Sequence, residues 1–201
     1  MTRAPVVLGT DEKLFEAVHR RLIDREHRAP PWHALDLGAL ERDDEAREQV
    51  RAAWSARVTA EYRSMVVFGE LLARLPELRL PLEVSSAAAR LITDEARHTE
   101  HCAKLAAAFG GHGDAQVSDL DLRLVDDRLS ATLFVARWTA SMFCVGECAS
   151  VGLLHTLHDH SEDPCVRAVL AVLRRDEALH DRFGWTLARA VFARLTDEEL
   201  D

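Results

Sequence analysis

The sequence predicts an all-α fold, a four-helix bundle made of two antiparallel helical hairpins joined by one long crossover, with an extra helix in front. Three observations carry that prediction. Four long segments keep apolar residues at alternating spacings of three and four, the pattern of a helix with one buried face. Strong breakers separate them, at Pro30-Pro31, between Pro76 and Pro81, at Gly110-Gly111 and before Pro164. Proline and glycine number only 6 and 9 in 201 residues, few enough for long helices.

Residues 11 to 27 read as the first amphipathic helix, stopped by Ala29-Pro30-Pro31, and Trp32 to Leu40 as an irregular packing segment. Residues 1–43 are therefore expected to pack on a bundle formed by residues 44–201. Segment A runs from about Asp44 to Leu75 and stops in the Pro76–Pro81 turn. Segment B covers about Leu82 to Phe109 and ends at Gly110-Gly111. Residues 111–127 are polar and too long for a tight hairpin, so they form the crossover. Segment C spans about Arg128 to His158, the run Asp159 to Pro164 turns the chain, and segment D spans about Cys165 to Leu195.

Composition excludes some functions. A formal net charge of −9 is the wrong sign for a nucleic-acid surface. No run of eighteen unbroken apolar residues suggests a membrane span, and the N-terminal apolar stretch is too short for a signal peptide. Cys102, Cys144, Cys148 and Cys165 form no paired framework, so reduced thiols and a cytoplasmic location are expected.

The chemistry lies on the inward stripes. Asp94-Glu95-Ala96-Arg97-His98 and Asp176-Glu177-Ala178-Leu179-His180 repeat one frame, and residues three apart share a helix face. Glu95 and His98 fall between Leu91 and Cys102 on the stripe of segment B; Glu177 and His180 fall between Leu173 and Gly184 on that of D. Segment A contributes Glu61 between Val58 and Met65. Segment C contributes Glu147, after Leu133, Ala136, Ala140 and Cys144 and before Val151. In an antiparallel hairpin, residues equidistant from the turn are level. Positions 61 and 95 are centred on 78, and positions 147 and 177 on 162, both inside turns, so the four carboxylates can meet at one height.

Four carboxylates and two neutral imidazoles call for two divalent cations, because so many buried acids would otherwise cost several kcal/mol each, as an order of magnitude. Oxygen-rich ligation with one histidine per ion suits iron or manganese better than zinc. Asp94 and Asp176 each precede a ligand histidine by four residues and are expected to hydrogen-bond the far nitrogen of the histidine on their own helix. His101 is read as a surface or supporting group, Cys144 as a small core residue, and His155, His158 and His160 as a solvated helix end.

On these motifs, residues 44–195 resemble the ferritin-like di-iron superfamily. The aspartate before each motif glutamate and the Arg97 before His98 are more similar to bacterial multicomponent monooxygenases and ribonucleotide reductase small subunits than to ferritins. Cys102 stands where the reductase subunits carry a radical tyrosine, and Val151 where such monooxygenases carry a threonine. The resemblance implies a ferritin-like bundle holding two Fe ions, with Mn at one or both positions as the alternative. Glu61, Glu95, His98, Glu147, Glu177 and His180 would serve as ligands and catalytic residues. It implies a small stand-alone oxidase or oxygenase using O2 as co-substrate on a small organic molecule, by hydroxylation, N-oxygenation or oxidative cleavage. Electrons would come from an external ferredoxin or reductase, because the chain has no nucleotide-binding glycine motif and no iron–sulfur cysteine set; a homodimer is compatible with this reading. The alternative is a bacterioferritin-like ferroxidase that handles iron, against which the long stretch before segment A weighs. A substrate path is expected beside Ala60 and Ser64. Gly184 is expected either to pack helices closely or to open an apolar cavity lined by Met65, Phe68, Cys102 and Val151, which would suit a hydrophobic or amine-bearing substrate.

Overall fold

The computed structural model describes residues 4–6, 13, 17, 20, 29–38, 43–111, 113–118 and 128–200, and these are predominantly helical. The expected helix over 11–27 lies outside the described residues except Lys13, Ala17 and Arg20, each helical.

Helix α1 (Asp44–Arg74) starts where the Asp43 side chain accepts a hydrogen bond from the Ala46 N–H at 2.9 Å, with Asp44 and Glu45 in its first turn. A 3-10 turn, Leu75–Leu78, closes it. Helix α2 (Leu82–Ala108) ends in a Schellman arrangement: Gly111 N–H donates to Ala106 O at 2.7 Å and Gly110 N–H to Ala107 O at 3.0 Å. Gly110 has φ 81°, a conformation that costs glycine nothing. Part of the expected crossover is a short strand, β2 (Ala115–Val117), antiparallel to β1 (Ala4–Val6), so it is less irregular than its polarity implied. Residues 112 and 119–127 of it lie outside the described set.

Segment C departs most from expectation. It is helical over 131–160 but not uniformly α: α3 (Ala131–Trp138) leads into a nine-residue π-helical stretch, Thr139–Glu147, and then α4 (Cys148–His160). Thr139, Phe143, Val145 and Gly146 are weak helix formers, which lowers the cost of i→i+5 winding. The buried stripe shifts by one residue. Thr139 and Phe143 turn inward in place of the expected Ala140 and Cys144, while Glu147 keeps its place. Helix α5 (Pro164–Phe192) has proline at N1, and the Asp163 side chain accepts from the Cys165 and Val166 N–H groups at 2.8 and 2.9 Å. A last turn, α6, covers Asp197–Leu200.

Helix α1 packs along α2, the π stretch and α4 pack on α5, and α2 meets α5 between them. The core divides along the helices into two apolar clusters. One contains Phe68, Leu91, Phe134, Phe143 and Leu187; the other contains Val58, Cys102, Leu105, Leu154 and Leu173, with Trp32 and Leu35 packed on it. The layer between them is polar, and it carries the motif residues.

The 131–160 stretch is the one helix among the described residues long and apolar enough by composition to cross a membrane, which unbroken-run counting overlooked, and most of its apolar window is exposed. A single helix of this kind is weak support for a span. Val145, Leu153 and Leu157 are its exposed large apolar residues.

Candidate metal centre

All six residues singled out from the sequence meet in that layer, each 6% exposed or less. They form two overlapping groups. One comprises Glu61, Glu95, His98 and Glu177; the other Glu95, Glu147, Glu177 and His180; within each, one ligand atom per residue lies within 4.8 Å of the others. Glu95 and Glu177 belong to both. Each group thus has a histidine and a carboxylate of its own, and two carboxylates are shared.

The donor atoms converge on points rather than on one another. His98 Nδ1 lies 3.5 Å from Glu61 Oε2 and 3.7 Å from Glu177 Oε1, and His180 Nδ1 lies 3.0 Å from both Glu95 Oε1 and Glu177 Oε2. Yet His98 Nδ1, His180 Nδ1, both Glu95 oxygens and Glu177 Oε2 are buried without hydrogen-bond geometry. The distances are short and the directions are wrong for hydrogen bonds. Buried polar atoms without partners are costly, and a shared cation would satisfy them all. Two neutral imidazole nitrogens and four carboxylates fit a pair of hard or borderline divalent ions.

Electrostatics agree. Burial and the Glu177 charge push Glu95 up to about 8. Burial and a hydrogen bond with Glu177 push Glu147 up to about 11, and the Glu147–Glu177 pair holds one proton between its members. Burial opposes protonation of His98, but the hydrogen bond to Asp176 and the neighbouring carboxylates of Glu61, Glu95 and Glu177 raise it to about 10. His180 is likewise raised, against burial, by Asp94, Glu177 and Glu95. Glu61 is lowered: burial works against its charge, and Arg57 and His98 outweigh it. Without cations, the acid cluster therefore neutralises itself with protons.

The supporting aspartates are crossed, contrary to the expected pairing within each helix. His98 Nε2 faces Asp176 Oδ2 of α5 at 3.3 Å, and His180 Nε2 faces Asp94 Oδ2 of α2 at 3.5 Å. An imidazole that turns Nδ1 toward the carboxylates carries Nε2 on its far edge, so the acid behind it comes from the facing helix. Arg97, 1% exposed, joins the two halves: its Nη1 donates to Asp94 Oδ1 at 2.8 Å and Asp176 Oδ2 at 3.1 Å. Arg90 and Arg175 add bonds to Asp94 and Asp176 at 2.8 and 2.9 Å. Both aspartates are held below their ordinary values, because these bonds and the histidines outweigh burial.

No family model, curated protein or solved structure matches this chain. Its site rests on its own geometry.

A cleft of about 180 Å3 reaches the group between α1 and the π stretch, lined by Arg57, Ala60, Glu61, Ser64, Met142, Gly146, Glu147, Ser150 and Glu177. A cleft does run beside Ala60 and Ser64, where a path was expected; the space expected at Gly184 is filled. A Cβ on Gly184 would stand 2.1 Å from Phe143 Cβ, so the glycine admits the ring that the π winding turned inward. Phe143 in turn stacks on Phe68 at 4.7 Å between centroids, which fills the proposed apolar cavity. Arg57 escaped the sequence reading. It lies one turn before Glu61, with Nε 2.8 Å from Glu61 Oε1, and an i,i+4 search around the lone glutamate would have found it. His101 is buried with its ring against Trp32 at 5.7 Å, outside both groups; burial and the His98 charge hold it down at about 4.

Proposed function

We propose that this protein is an O2-activating non-haem di-iron oxidase or oxygenase built on a ferritin-like four-helix bundle, acting on a small organic substrate. One observation carries the reading: two buried ligand groups, each with one histidine and one carboxylate of its own, share Glu95 and Glu177. Glu61 and His98 would complete one position, Glu147 and His180 the other. Iron at both positions is our reading, and manganese at one or both satisfies the same donor set. When bound, the two ions supply the redox chemistry and Lewis acidity for oxidation of the substrate by O2.

The chain's own part is to hold and orient. Asp176 fixes the ring of His98 through Nε2, and Asp94 stands 3.5 Å behind His180 Nε2, so that Nδ1 of each ring is presented to the ligand positions. Arg97 locks the two aspartates together, and Phe68 and Phe143 seal one side of the group from water. The cleft leaves Glu61, Glu147 and Glu177 as the edge that a substrate meets. An external ferredoxin or reductase would supply electrons. The four cysteines are free thiols.

An iron-handling ferroxidase is less well supported. A guanidinium at the cleft mouth opposes the passage of cations. The test is direct. Protein purified without chelator should hold about two iron or manganese ions per chain, and the reduced form should consume O2. Metal content below about one ion, unchanged in Glu95→Ala, rejects the centre; a full complement without O2 consumption rejects only the oxidase.

A further inference from the structure

We propose that Arg57 is the recognition residue for a carboxylate group on the substrate, which confines the substrate to short monocarboxylates. The proposal rests on the dinuclear reading above and names the substrate class of that site.

The Arg57 side chain is 18% exposed and sits where the cleft meets the ligand group. Its Nε is 2.8 Å from Glu61 Oε1, its Nη2 is 3.9 Å from Glu177 Oε1, and Nη2 donates to Ser150 Oγ at 3.4 Å. The Nε contact is short but lacks hydrogen-bond geometry, so that donor is not committed to Glu61.

Charge decides the matter. Without metal, the carboxylates of Glu61 and Glu177 are shared between the guanidinium and the two histidines. With two divalent ions in place, the four carboxylates are fully matched by four positive charges, and the neutral histidines add nothing. Arg57 then remains as a largely desolvated cation whose former counter-ions are ligands. An incoming carboxylate restores the balance, and the planar fork of a guanidinium binds it through two parallel hydrogen bonds. An amine would bring a second positive charge to the same place, so the amine-bearing class expected from the sequence is disfavoured.

The surroundings suit a short acid. Ala60 and Gly146 leave space along the cleft, and the Ser64 and Ser150 hydroxyls border it. Its volume of about 180 Å3 is below the roughly 300–1,000 Å3 usual for drug-sized ligands. With its carboxylate on Arg57, the rest of the molecule would extend toward Glu61, Glu147 and Glu177.

The experiment uses the full chain loaded with Mn2+, which keeps the centre redox-silent. Pentanoate, pentan-1-ol and pentylamine are titrated calorimetrically, with metal content measured on each sample. Pentanoate should bind best, and Arg57→Gln should lose about tenfold or more in pentanoate affinity at unchanged metal content. Arg57→Lys should recover part of that loss, and pentanol binding should not change. The carboxylate proposal is overturned if loaded wild-type protein fails to bind pentanoate, if pentylamine binds better, or if Arg57→Gln binds pentanoate normally. It is also overturned if Arg57→Gln loses its metal, since Arg57 would then serve the ligand group. Failure of wild-type protein to load any metal removes the dinuclear reading itself.

Discussion

Loading this site should exchange protons for metal at nearly constant charge. At pH 7 the metal-free form keeps a proton on His98, raised to about 10, on His180, raised well above its ordinary value, on Glu95, raised to about 8, and on Glu147, raised to about 11. All four must leave before the residues can act as ligands. Two divalent ions therefore displace about four protons, and four positive charges replace four. By linkage, the affinity for the pair should rise by roughly four decades per pH unit near pH 7, and by about three near pH 9, where Glu95 has already ionised. The metal-free form should behave in the opposite sense. Its folded state holds these protons beyond the unfolded values, near 4.5 for glutamate and 6.5 for histidine. The stability they contribute is complete at low pH and is lost as pH rises through about 8 to 11. Glu61, Glu177, Asp94 and Asp176 are lowered, so their contribution is lost as pH falls below about 4. Stability of the metal-free form should peak near pH 5, and between pH 6 and 9 its Tm should fall, whereas that of the loaded form should rise only through about pH 6.5, where the unfolded histidines lose their protons, and then level off. Calorimetric metal titrations in two buffers of different ionisation enthalpy count the protons, and Tm scans supply the slopes. Release of fewer than about two protons, or Tm slopes of the same sign, would refute the reasoning.

Three further outcomes follow from the same contacts. Gly184→Ala forces a Cβ to within 2.1 Å of Phe143, so a loss of about 3 kcal/mol and a Tm drop of roughly 6–12 °C are expected; unchanged thermal stability would contradict the close packing. Arg97→Met leaves two buried aspartates without their shared cation and should cost about 3–5 kcal/mol in urea unfolding, whereas a loss under about 1 kcal/mol would show the link to be dispensable. His101 is neutral above about pH 4 when folded but titrates near 6.5 when unfolded, so it destabilises the fold as pH falls through that window. His101→Phe should leave metal content unchanged and reduce acid sensitivity between pH 6.5 and 4; loss of metal in this variant would make His101 part of the centre.

The sequence by itself determined which six residues meet in the buried polar layer. Helical period is a local property, so Glu61, Glu95, His98, Glu147, Glu177 and His180 could be placed on buried faces by spacing, and their common level by distance from the turns. The breakers at Gly110 and Pro164 were equally local, and the helices end and begin within a few residues of them. Other features belong to pairs of helices, and no single-helix period encodes them. Which aspartate stands behind which histidine depends on the facing of α2 and α5, and the two are crossed. The π winding moves Phe143 inward, and only its meeting with α5 shows that Gly184 makes room for that ring rather than for a substrate. Arg57 reads in sequence as one more charge on a helix surface. The gap between α1 and the π stretch makes it the cation at the mouth of the site, because contact across helices is set by packing and not by spacing along the chain.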